Sequence, residues 1–423
     1  MRKTHTTLLG KTVRHISRLR GGGSALPGLV VEKIDKDFLS HTLSQLPLGV
    51  VVISGTNGKT TTTKMVTELL KSQGLRVFTN PTGSNFKRGV ISALLDKVDK
   101  KGTLHADIAV LELDEAHAVH FVREIKPAYA LILNVMRDQL DRFGEIDKTA
   151  DMLEAITTSA TKGVVLNRED ALVRTIGKNT KNKEVRYFGL EAAIKTEFPS
   201  DDELYGVKDV SKIEKIEADV SLNAFNKNEA EFIIDGESVL APLKITGVYN
   251  TFNAAAAISL VRMIVGEKLN QTKLIDTLKE IKPAFGRGEK MVVHGQELEL
   301  VLVKNPSGFR LGLKSFSAKN IATMIAINDN YADGRDMSWL WDVDFESLSE
   351  AGVRMVSGVR AYDMALRLQY DEVKFDYVDT DLKKALDTFI NETGRPKRIF
   401  CTYTAMLTLR KELTKYADLE RVL

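Results

Sequence analysis

The chain has 423 residues, which is enough for two or three domains of about 150 residues each. Lys and Arg number 60 against 57 Asp and Glu, a net charge of +3 that excludes a protein held to nucleic acid mainly by charge. The lone cysteine, Cys401, excludes an internal disulfide and an all-cysteine metal cluster, and no apolar run approaches the roughly 18 residues of a membrane span, so we expect a cytoplasmic protein.

Residues 1–45 form a basic N-terminal segment. Residues 1–31 contain six Lys and Arg and no acidic residue, and a glycine triplet at 21–23 follows the charges. One interpretation is a solvated surface helix. The other is a patch that meets phosphate groups or an anionic membrane face, where each basic residue contributes about 1 kcal/mol of attraction.

From about residue 48 the pattern predicts a doubly wound α/β domain with a parallel sheet. Residues 49–54 (GVVVIS) form an unbroken β-branched run, and residues 60–72 carry apolar side chains at helical spacing before Gly74. Further strands are predicted at 76–79, 108–113, 129–133 and 163–166. Alternating strands and helices of this kind are typical of parallel sheets covered on both faces.

A change of composition divides the rest of the chain. Residues 190–235 hold twelve acidic residues against five lysines, with short alternating stretches that suggest an exposed hairpin insertion in a domain spanning 46–290. Helices are predicted at 250–263 and 274–281. Beyond a boundary near residue 290, residues 291–423 predict a smaller, Rossmann-like α/β domain, with strands at 298–303, 321–327, 352–356 and 398–403.

The most specific motif lies between the first strand and its helix. It reads Ser54-Gly55-Thr56-Asn57-Gly58-Lys59-Thr60-Thr61. Glycines allow backbone N–H groups to surround phosphate oxygens, Lys59 supplies a positive charge, and the Thr60 hydroxyl can bind magnesium. Ile53 stands where the common Walker motif has its first glycine, so the loop is a shorter variant that disfavours ordinary kinases and GTPases.

This loop resembles that of the Mur ligase superfamily, ATP-dependent enzymes that join an amine to a carboxylate, and the likeness continues downstream. The resemblance implies ATP and Mg²⁺, with Glu112 as the metal-binding glutamate and Glu115 as the second choice. Gln139 stands where the family has a histidine that holds a second magnesium, and an amide oxygen can also bind this hard cation. Glu154 lies near the expected position of the family's carbamylated lysine.

Two later segments also match the family. Asn250, within Gly247–Ala255, is implied to contact the nucleotide, and Asn253 matches as well, whereas Tyr249 replaces a common histidine. Arg287, within Phe285–Glu289, corresponds to an arginine that reaches the nucleotide. Many relatives carry a four-cysteine zinc ribbon in the central domain, but 190–235 has no cysteine, so no zinc is expected.

The C-terminal domain narrows the resemblance to the MurT family, the ligase subunits of lipid II isoglutaminyl synthases. The residues that carry it are Asn328–Asp342, which include the run DGRDMSWLWD, with Lys304–Gly308 and Ser357–Ala361. The family pairs with a GatD-type glutaminase in a heterodimer. It implies that one aspartate completes the partner's cysteine and histidine, and we select Asp336, with Asp333 and Asp342 as alternatives.

Cys401 does not resemble the nucleophile of a glutaminase. It lies in an apolar strand pattern without a glycine-rich turn, which favours a buried structural thiol. If the resemblance holds, ATP phosphorylates the α-carboxylate of D-glutamate in the lipid II stem peptide, and ammonia from the partner then yields D-isoglutamine. The expected place of action is the inner face of the cell membrane.

Two alternatives remain open from the sequence. The first is a Mur-type ligase that adds an amino acid or glutamate to a carboxylate. The second is a subunit that binds nucleotide and holds a partner without catalysis of its own. Under this second reading the Lys59→Ala substitution abolishes nucleotide binding but leaves amidation by the complex intact.

Overall fold

The computed structural model describes residues 2–19, 25–81, 85–136, 146–198, 216–226, 228–244, 248–281, 287–315, 319–392 and 394–417. The chain forms two compact units. One comprises Met1–Val135 and Ile146–Lys282, and the other comprises Met136–Glu145 and Pro283–Leu423.

The first unit is built on a nine-stranded sheet. Its strands are β1 (Val50–Ser54), β2 (Val77–Thr79), β3 (Ile108–Glu112), β4 (Tyr129–Ile132), β5 (Gly163–Asn167), β6 (Glu184–Leu190), β7 (Val220–Phe225), β8 (Glu229–Ile234) and β9 (Glu237–Pro242). The strand order is β2-β3-β1-β4-β5-β6-β7-β8-β9, parallel as far as β7 and antiparallel from β7 to β9. All five residues of β1 are buried, as expected for a strand covered on both faces.

Helices cover both faces of this sheet. They are α1 (Arg2–Leu19), α2 (Ala25–Ile34), α3 (Phe38–Leu43), α4 (Lys59–Ser72), α5 (Lys87–Lys97), α6 (Glu115–Glu124), α7 (Ile146–Ser159), α8 (Ala171–Asn179), α9 (Val248–Val265) and α10 (Gln271–Glu280). One core lies between the sheet and α4, α9 and α10. The other lies between the sheet and α2, α3 and α5–α8. The predicted doubly wound parallel domain is confirmed.

The acidic segment 190–235 contains the predicted hairpin, formed by β7 and β8, but this hairpin is not an exposed insertion. Its described strands β7 and β8 extend the main sheet, and Val220, Leu222 and Phe232 are fully buried in the core shared with α9. The reason is the alternation of these strands, which places apolar residues on one face and polar residues on the other. The acidic residues therefore do not prevent this segment from contributing to the core.

The second unit contains a six-stranded sheet. Its strands are β10 (Arg287–Val293), β11 (Gln296–Leu302), β12 (Ala322–Ala326), β13 (Val353–Ser357), β14 (Phe375–Asp379) and β15 (Lys397–Cys401). Their order is β10-β11-β15-β12-β13-β14, parallel except for the hairpin β10–β11. The helices are α11 (Pro306–Ser315), α12 (Ala361–Tyr370), α13 (Leu382–Asn391) and α14 (Tyr403–Leu413).

These helices also cover both faces of their sheet. Residues of α11 and α12 pack in one core and residues of α13 and α14 in the other. The chain leaves β15 toward one face and leaves its neighbours β11 and β12 toward the other. Such reversals form a crevice at the carboxyl ends of the strands, as in Rossmann-like sheets. The predicted smaller α/β domain is confirmed.

Candidate active site

The phosphate loop connects β1 to α4, and two of its glycines have backbone conformations that side chains disfavour. Gly55 has φ +129° and Gly58 has φ +89°. A Cβ atom on Gly58 would lie 2.7 Å from Asn253 Oδ1, and one on Gly55 would lie 2.9 Å from the backbone nitrogen of Asn134. Both positions therefore require glycine for conformation and for space. Because the loop follows β1, which pairs in parallel with β3 and β4, it lies at the carboxyl edge of these strands. Phosphates bind there to the N-termini of the helices that follow the strands.

Lys59, the first residue of α4, is buried within the loop. Its Nζ donates to the carbonyl of Gly55 at 2.5 Å and to Glu115 Oε1 at 3.0 Å. The side chains of Lys59 and Glu115 are 7% and 3% exposed. The lysine therefore has a carboxylate partner within the fold, and its ammonium group is fixed in position.

The second glutamate contacts a different residue of the loop. Glu112 ends β3, and its Oε1 accepts a hydrogen bond from the Thr60 hydroxyl at 2.9 Å. Its backbone is held by Asn80, whose amide donates to the Glu112 carbonyl at 2.9 Å and accepts from the Glu112 N–H at 3.0 Å. The two glutamates thus have separate positions, one beside the lysine and one beside the hydroxyl.

Thr60 and Glu112 fit a magnesium site. Mg²⁺ prefers oxygen ligands and is usually bound by one or two protein groups together with water and phosphate oxygens. The hydroxyl and the buried carboxylate provide such oxygens at the mouth of the loop. Among the described residues no cluster of three or more His, Cys, Asp or Glu could hold a metal alone. Gln139 lies outside the described residues.

The remaining loop contacts come from neighbouring elements. Asn57 and Asn134 are joined twice, from the Asn57 N–H to Asn134 Oδ1 at 2.8 Å and from Asn134 Nδ2 to the Asn57 carbonyl at 3.1 Å. Asn134 follows β4, the neighbour of β1. No role for Asn134 or Asn80 is predicted from the sequence, although both directly follow predicted strands, at the edge of the sheet where the loop lies.

Helix α9 brings a different asparagine to the loop from the one selected as the nucleotide contact. Asn253 is buried against Gly58. Asn250, the selected residue, is half-buried one turn earlier on the same helix. Its neighbour Tyr249 packs edge-on against Phe198, with ring centroids 5.4 Å apart. Arg287 begins β10, and its side chain lies outside the described part of the chain.

Glu154 does not lie near the loop, contrary to its predicted role in place of a carbamylated lysine. Helix α7 runs back from the carboxyl edge of the sheet, and Glu154 Oε1 accepts a hydrogen bond from Asn179 Nδ2 at 2.9 Å. Asn179 is the last residue of α8, from which the chain enters the amino end of β6. A helix rises about 1.5 Å per residue, so position 154 is displaced toward the opposite edge.

In the second unit the three aspartates considered for the partner's active site have different surroundings. Asp333 is buried, and its carboxylate accepts hydrogen bonds from the Thr404 N–H at 2.7 Å, the Thr404 hydroxyl at 2.5 Å and the Asn330 N–H at 3.1 Å. Burial raises the pKa of Asp333 above that of a free aspartate. It thus fixes the start of α14 and is not accessible to a partner.

Asp336 is more accessible. It is half-exposed, and among the described residues its one hydrogen bond is from the Ser338 N–H to Oδ1, at 2.9 Å. Asp342 is exposed at the end of the short 3-10 helix Ser338–Asp342. Burial therefore separates Asp333 from the other two.

Cys401 is fully buried in β15, at the centre of the second sheet. Burial raises the pKa of its thiol well above the ordinary value, so the thiolate is suppressed at neutral pH. The predicted structural thiol is confirmed, and this residue lacks the activated state that a nucleophile needs.

An exposed aromatic face lies on α12. Tyr362, Leu366 and Tyr370 are spaced four residues apart, so they share one side of the helix, and all three are exposed. Trp341 extends this face, with its ring centroid 5.5 Å from that of Tyr370. We call these four residues the aromatic face. Aromatic residues are enriched at the centres of protein interfaces.

Two family models match the chain. The Mur ligase middle domain covers residues 53–261 and the MurT ligase C-terminal domain covers residues 302–406. The MurT subunit of the glutamine-hydrolyzing lipid II isoglutaminyl synthase of Streptococcus pneumoniae is 31% identical, over 98% of this chain and 97% of that protein. The MurT subunit from Staphylococcus aureus is 29% identical, over 98% of each chain. The resemblance predicted from the sequence is confirmed.

Solved structures show the same fold. A pseudomurein peptide ligase type C from Methanothermus fervidus has a TM-score of 0.68 at 20% identity, covering 90% of this chain and 80% of that one. The MurF ligase of Thermotoga maritima in complex with ADP has a TM-score of 0.67 at 18% identity, covering 92% and 84%. No helix in the described ranges has the length and apolar character to cross a membrane.

Proposed function

Because this chain belongs to the MurT family of ATP-dependent Mur-type ligases, we propose that it is the ligase subunit of a lipid II isoglutaminyl synthase. The reaction would convert the α-carboxylate of D-glutamate in the lipid II stem peptide to the amide. The relatives that this chain matches over nearly its whole length are described as subunits of a lipid II isoglutaminyl synthase. The observation that carries the proposal is the buried Lys59 at the base of a glycine-lined loop.

We infer a reaction in two steps. A carboxylate oxygen of the substrate attacks the γ-phosphorus of ATP, the bond to the β,γ-bridging oxygen breaks, and ADP leaves. Ammonia then attacks the carbonyl carbon of the acyl phosphate, inorganic phosphate leaves with the C–O electron pair, and the nitrogen loses a proton. The products are the amide, ADP and phosphate.

The first step brings the negatively charged carboxylate close to the negatively charged phosphate, and residues of this chain reduce their repulsion. A carboxylate about 4 Å from a phosphate oxygen is repelled by about 4 kcal/mol per charge pair at an effective dielectric constant of 20. Lys59 and the backbone N–H groups of Gly58–Thr61, at the N-terminus of α4, counter this repulsion by holding the phosphates from one side. Thr60 and Glu112 would hold Mg²⁺, which, when bound, neutralises phosphate charge. Gln139, Asn250 and Arg287 remain proposed contacts to the second metal and to the nucleotide.

One experiment distinguishes the proposed amidation from the alternative function, addition of an amino acid. The purified chain is incubated with ATP, lipid II and ammonium chloride, and the stem peptide is analysed by mass spectrometry. Amidation without any added amino acid supports the proposal, whereas a strict requirement for an amino acid contradicts it. The Lys59→Ala variant should reduce amidation to background, and full activity of this variant would favour a purely nucleotide-binding subunit.

We infer that the ammonia comes from a GatD-type glutaminase bound as a heterodimer. Cys401, the chain's one cysteine, is buried and its pKa is raised, which supports a nucleophile for glutamine hydrolysis on another chain. The aromatic face of α12 offers a docking surface in the same unit as Asp336. We propose that Asp336 completes the partner's active site, with Asp342 as the alternative, because both are accessible whereas Asp333 is buried.

The Asp336 assignment has a specific test with matched controls. In the complex, Asp336→Asn should abolish amidation driven by glutamine but leave amidation driven by ammonium chloride unchanged. Asp342→Asn, an equally conservative change nearby, should leave both reactions intact. Loss of the glutamine-driven reaction in Asp342→Asn alone would transfer the role to that residue.

The proposed substrate also indicates where in the cell the reaction takes place. Lipid II is anchored in the membrane by its lipid, so we infer that the protein acts at the inner face of the cell membrane.

A further inference from the structure

Helix α1 has its polarity reversed relative to an ordinary surface helix. Its buried polar residues are Thr6, Thr7, Arg14 and Ser17. Its apolar residues Leu8, Leu9 and Ile16 are instead 43%, 46% and 45% exposed. A surface helix normally turns its apolar stripe toward the core and its polar residues toward water. The exposed leucines of α1 therefore need an explanation that the fold of the isolated chain does not supply.

The orientation of α1 is fixed by polar contacts with α5. Arg14 Nη1 donates to the carbonyl and to the hydroxyl of Ser92, each at 2.6 Å, and its Nη2 pairs with Asp96. Lys11 Nζ donates to the carbonyl of Val98 at 2.6 Å. Rotation of the helix to bury its leucines would break these bonds and leave the Arg14 charge without its partner.

These contacts also change the interpretation of the basic segment. Two of its six basic residues, Lys11 and Arg14, are bound within the fold and do not form an external patch. The face that α1 presents outward is defined by His5, Leu8, Leu9, Thr12, His15 and Ile16, all exposed. We call it the outer face of α1. It has no acidic residue, and none occurs anywhere in residues 1–31.

We propose that the outer face of α1 lies on the surface of an anionic lipid bilayer. A helix lying in the interface inserts its apolar side chains among the acyl chains and is favoured by a positive charge beside it. The exposed leucines meet the first requirement. The second is met by the composition of residues 1–31, where four basic residues remain besides Lys11 and Arg14 and no acidic residue occurs, which matches a surface of negative headgroups.

The consequence concerns the whole first unit. Helix α1 belongs to the same unit as the phosphate loop, so docking of its outer face fixes the position of the nucleotide site relative to the bilayer. This inference goes beyond the proposed function and does not depend on it, because vesicle binding is measured without any amidation reaction.

The test is sedimentation of the full chain with vesicles of phosphatidylcholine alone or mixed with phosphatidylglycerol. We expect binding to the mixed vesicles, and we expect Leu8→Ser/Leu9→Ser to reduce the partition coefficient about tenfold or more. Leu240→Ser is the matched control, because Leu240 is 58% exposed on β9, and it should bind like the wild type. Equal partitioning of the double variant and the wild type would overturn the proposal.

A substitution in the opposite direction guards against misfolding as the cause. Leu9→Trp should increase partitioning, because tryptophan favours the membrane interface. Unchanged or weaker binding of a folded Leu9→Trp protein would contradict the proposal. The competing occupant is a second copy of the chain, and a dimer in solution that Leu8→Ser/Leu9→Ser dissociates would also overturn it. Amidation of a water-soluble lipid II analogue should be equal in the variant and the wild type, which keeps failure of docking distinct from failure of the ligase function.

Discussion

The ion pair between Lys59 and Glu115 gives the most demanding prediction for the phosphate loop. At 3.0 Å and an effective dielectric constant of 20, the attraction between the two charges is about 5.5 kcal/mol before desolvation is subtracted. Removing one partner of a buried pair typically costs about 3–5 kcal/mol, whereas removing both costs much less. We therefore expect Lys59→Met and Glu115→Gln each to destabilise the first unit, and the double variant to cost at least about 1.5 kcal/mol less than the sum of the two.

The assay uses the distribution of tryptophan. The chain has two tryptophans, Trp339 and Trp341, and both lie in the second unit. Urea unfolding followed by tryptophan fluorescence thus reports on the second unit, and far-ultraviolet circular dichroism reports on both. The variants should shift the circular dichroism transition and leave the fluorescence transition in place.

In the same three variants, amidation activity should not follow the stability of the first unit. The double variant should lose less stability than the two single variants together, but amidation should stay at background because the charge that faces the phosphates is absent. Strictly additive destabilisation would refute the argument that the two side chains act as a pair. Substantial amidation by Lys59→Met would refute the role of the lysine.

Three further predictions concern single residues. Gly58→Ala should destabilise the protein by about 1–3 kcal/mol in thermal or urea unfolding, because φ is +89° and the new Cβ would lie 2.7 Å from Asn253 Oδ1; adding Asn253→Ala should restore only part of the loss, and a neutral Gly58→Ala would contradict the geometry. Thr60→Val should raise the Mg²⁺ concentration needed for half-maximal amidation about tenfold or more by removing a hard oxygen ligand, whereas Thr60→Ser should not; equal requirements in both variants would exclude the hydroxyl as a ligand. Cys401 should not react with a thiol reagent at pH 8 in the native protein, since burial raises its pKa and keeps the thiol protonated, and it should react fully after unfolding; rapid native labelling would contradict its burial.

The phosphate loop was predictable because its parts are contiguous. A buried strand, a glycine-rich turn, a lysine and a helix follow one another within residues 49–72, and local sequence dictates their order. The supporting asparagines were not predictable in the same way. Asn134 and Asn253 reach the loop only because β4 lies beside β1 and α9 packs against α4, and these neighbours are distant in sequence.

The order of the strands in the nine-stranded sheet was also not predictable from local sequence. The alternation of residues 218–225 and 231–234 correctly predicted strands, but alternation indicates only that a strand has two different faces. The place of β7 beside β6 depends on pairing between Phe188 and Val220, which no local pattern specifies. Strand β6 was missed because Glu184–Tyr187 is polar and only its last three residues are buried. Charged residues on one face of a strand therefore hid the apolar residues on its other face.

The contacts of the two glutamates, Glu112 and Glu115, favour Glu112 as the metal ligand that we propose. Glu112 ends the strand and Glu115 begins α6, so the intervening turn places the carboxylates on different residues of the loop. Glu115 compensates the charge of Lys59, which makes it a poor candidate for a metal ligand. The carboxylate of Glu112 has a hydroxyl as its partner and keeps its negative charge uncompensated by a lysine, as a divalent cation requires.

The pairing of Lys59 also bears on how the loop meets a nucleotide. A free lysine side chain must lose its rotational freedom when it binds a phosphate, which costs up to about 2 kcal/mol. In this chain the Gly55 carbonyl and Glu115 hold the ammonium group in one position, which reduces that loss. Glu115 also attracts the same cation, so a phosphate must compete with a carboxylate for it. We infer that this competition favours a triphosphate, whose other oxygens are bound by the loop N–H groups, over a single phosphate that offers no such additional contacts.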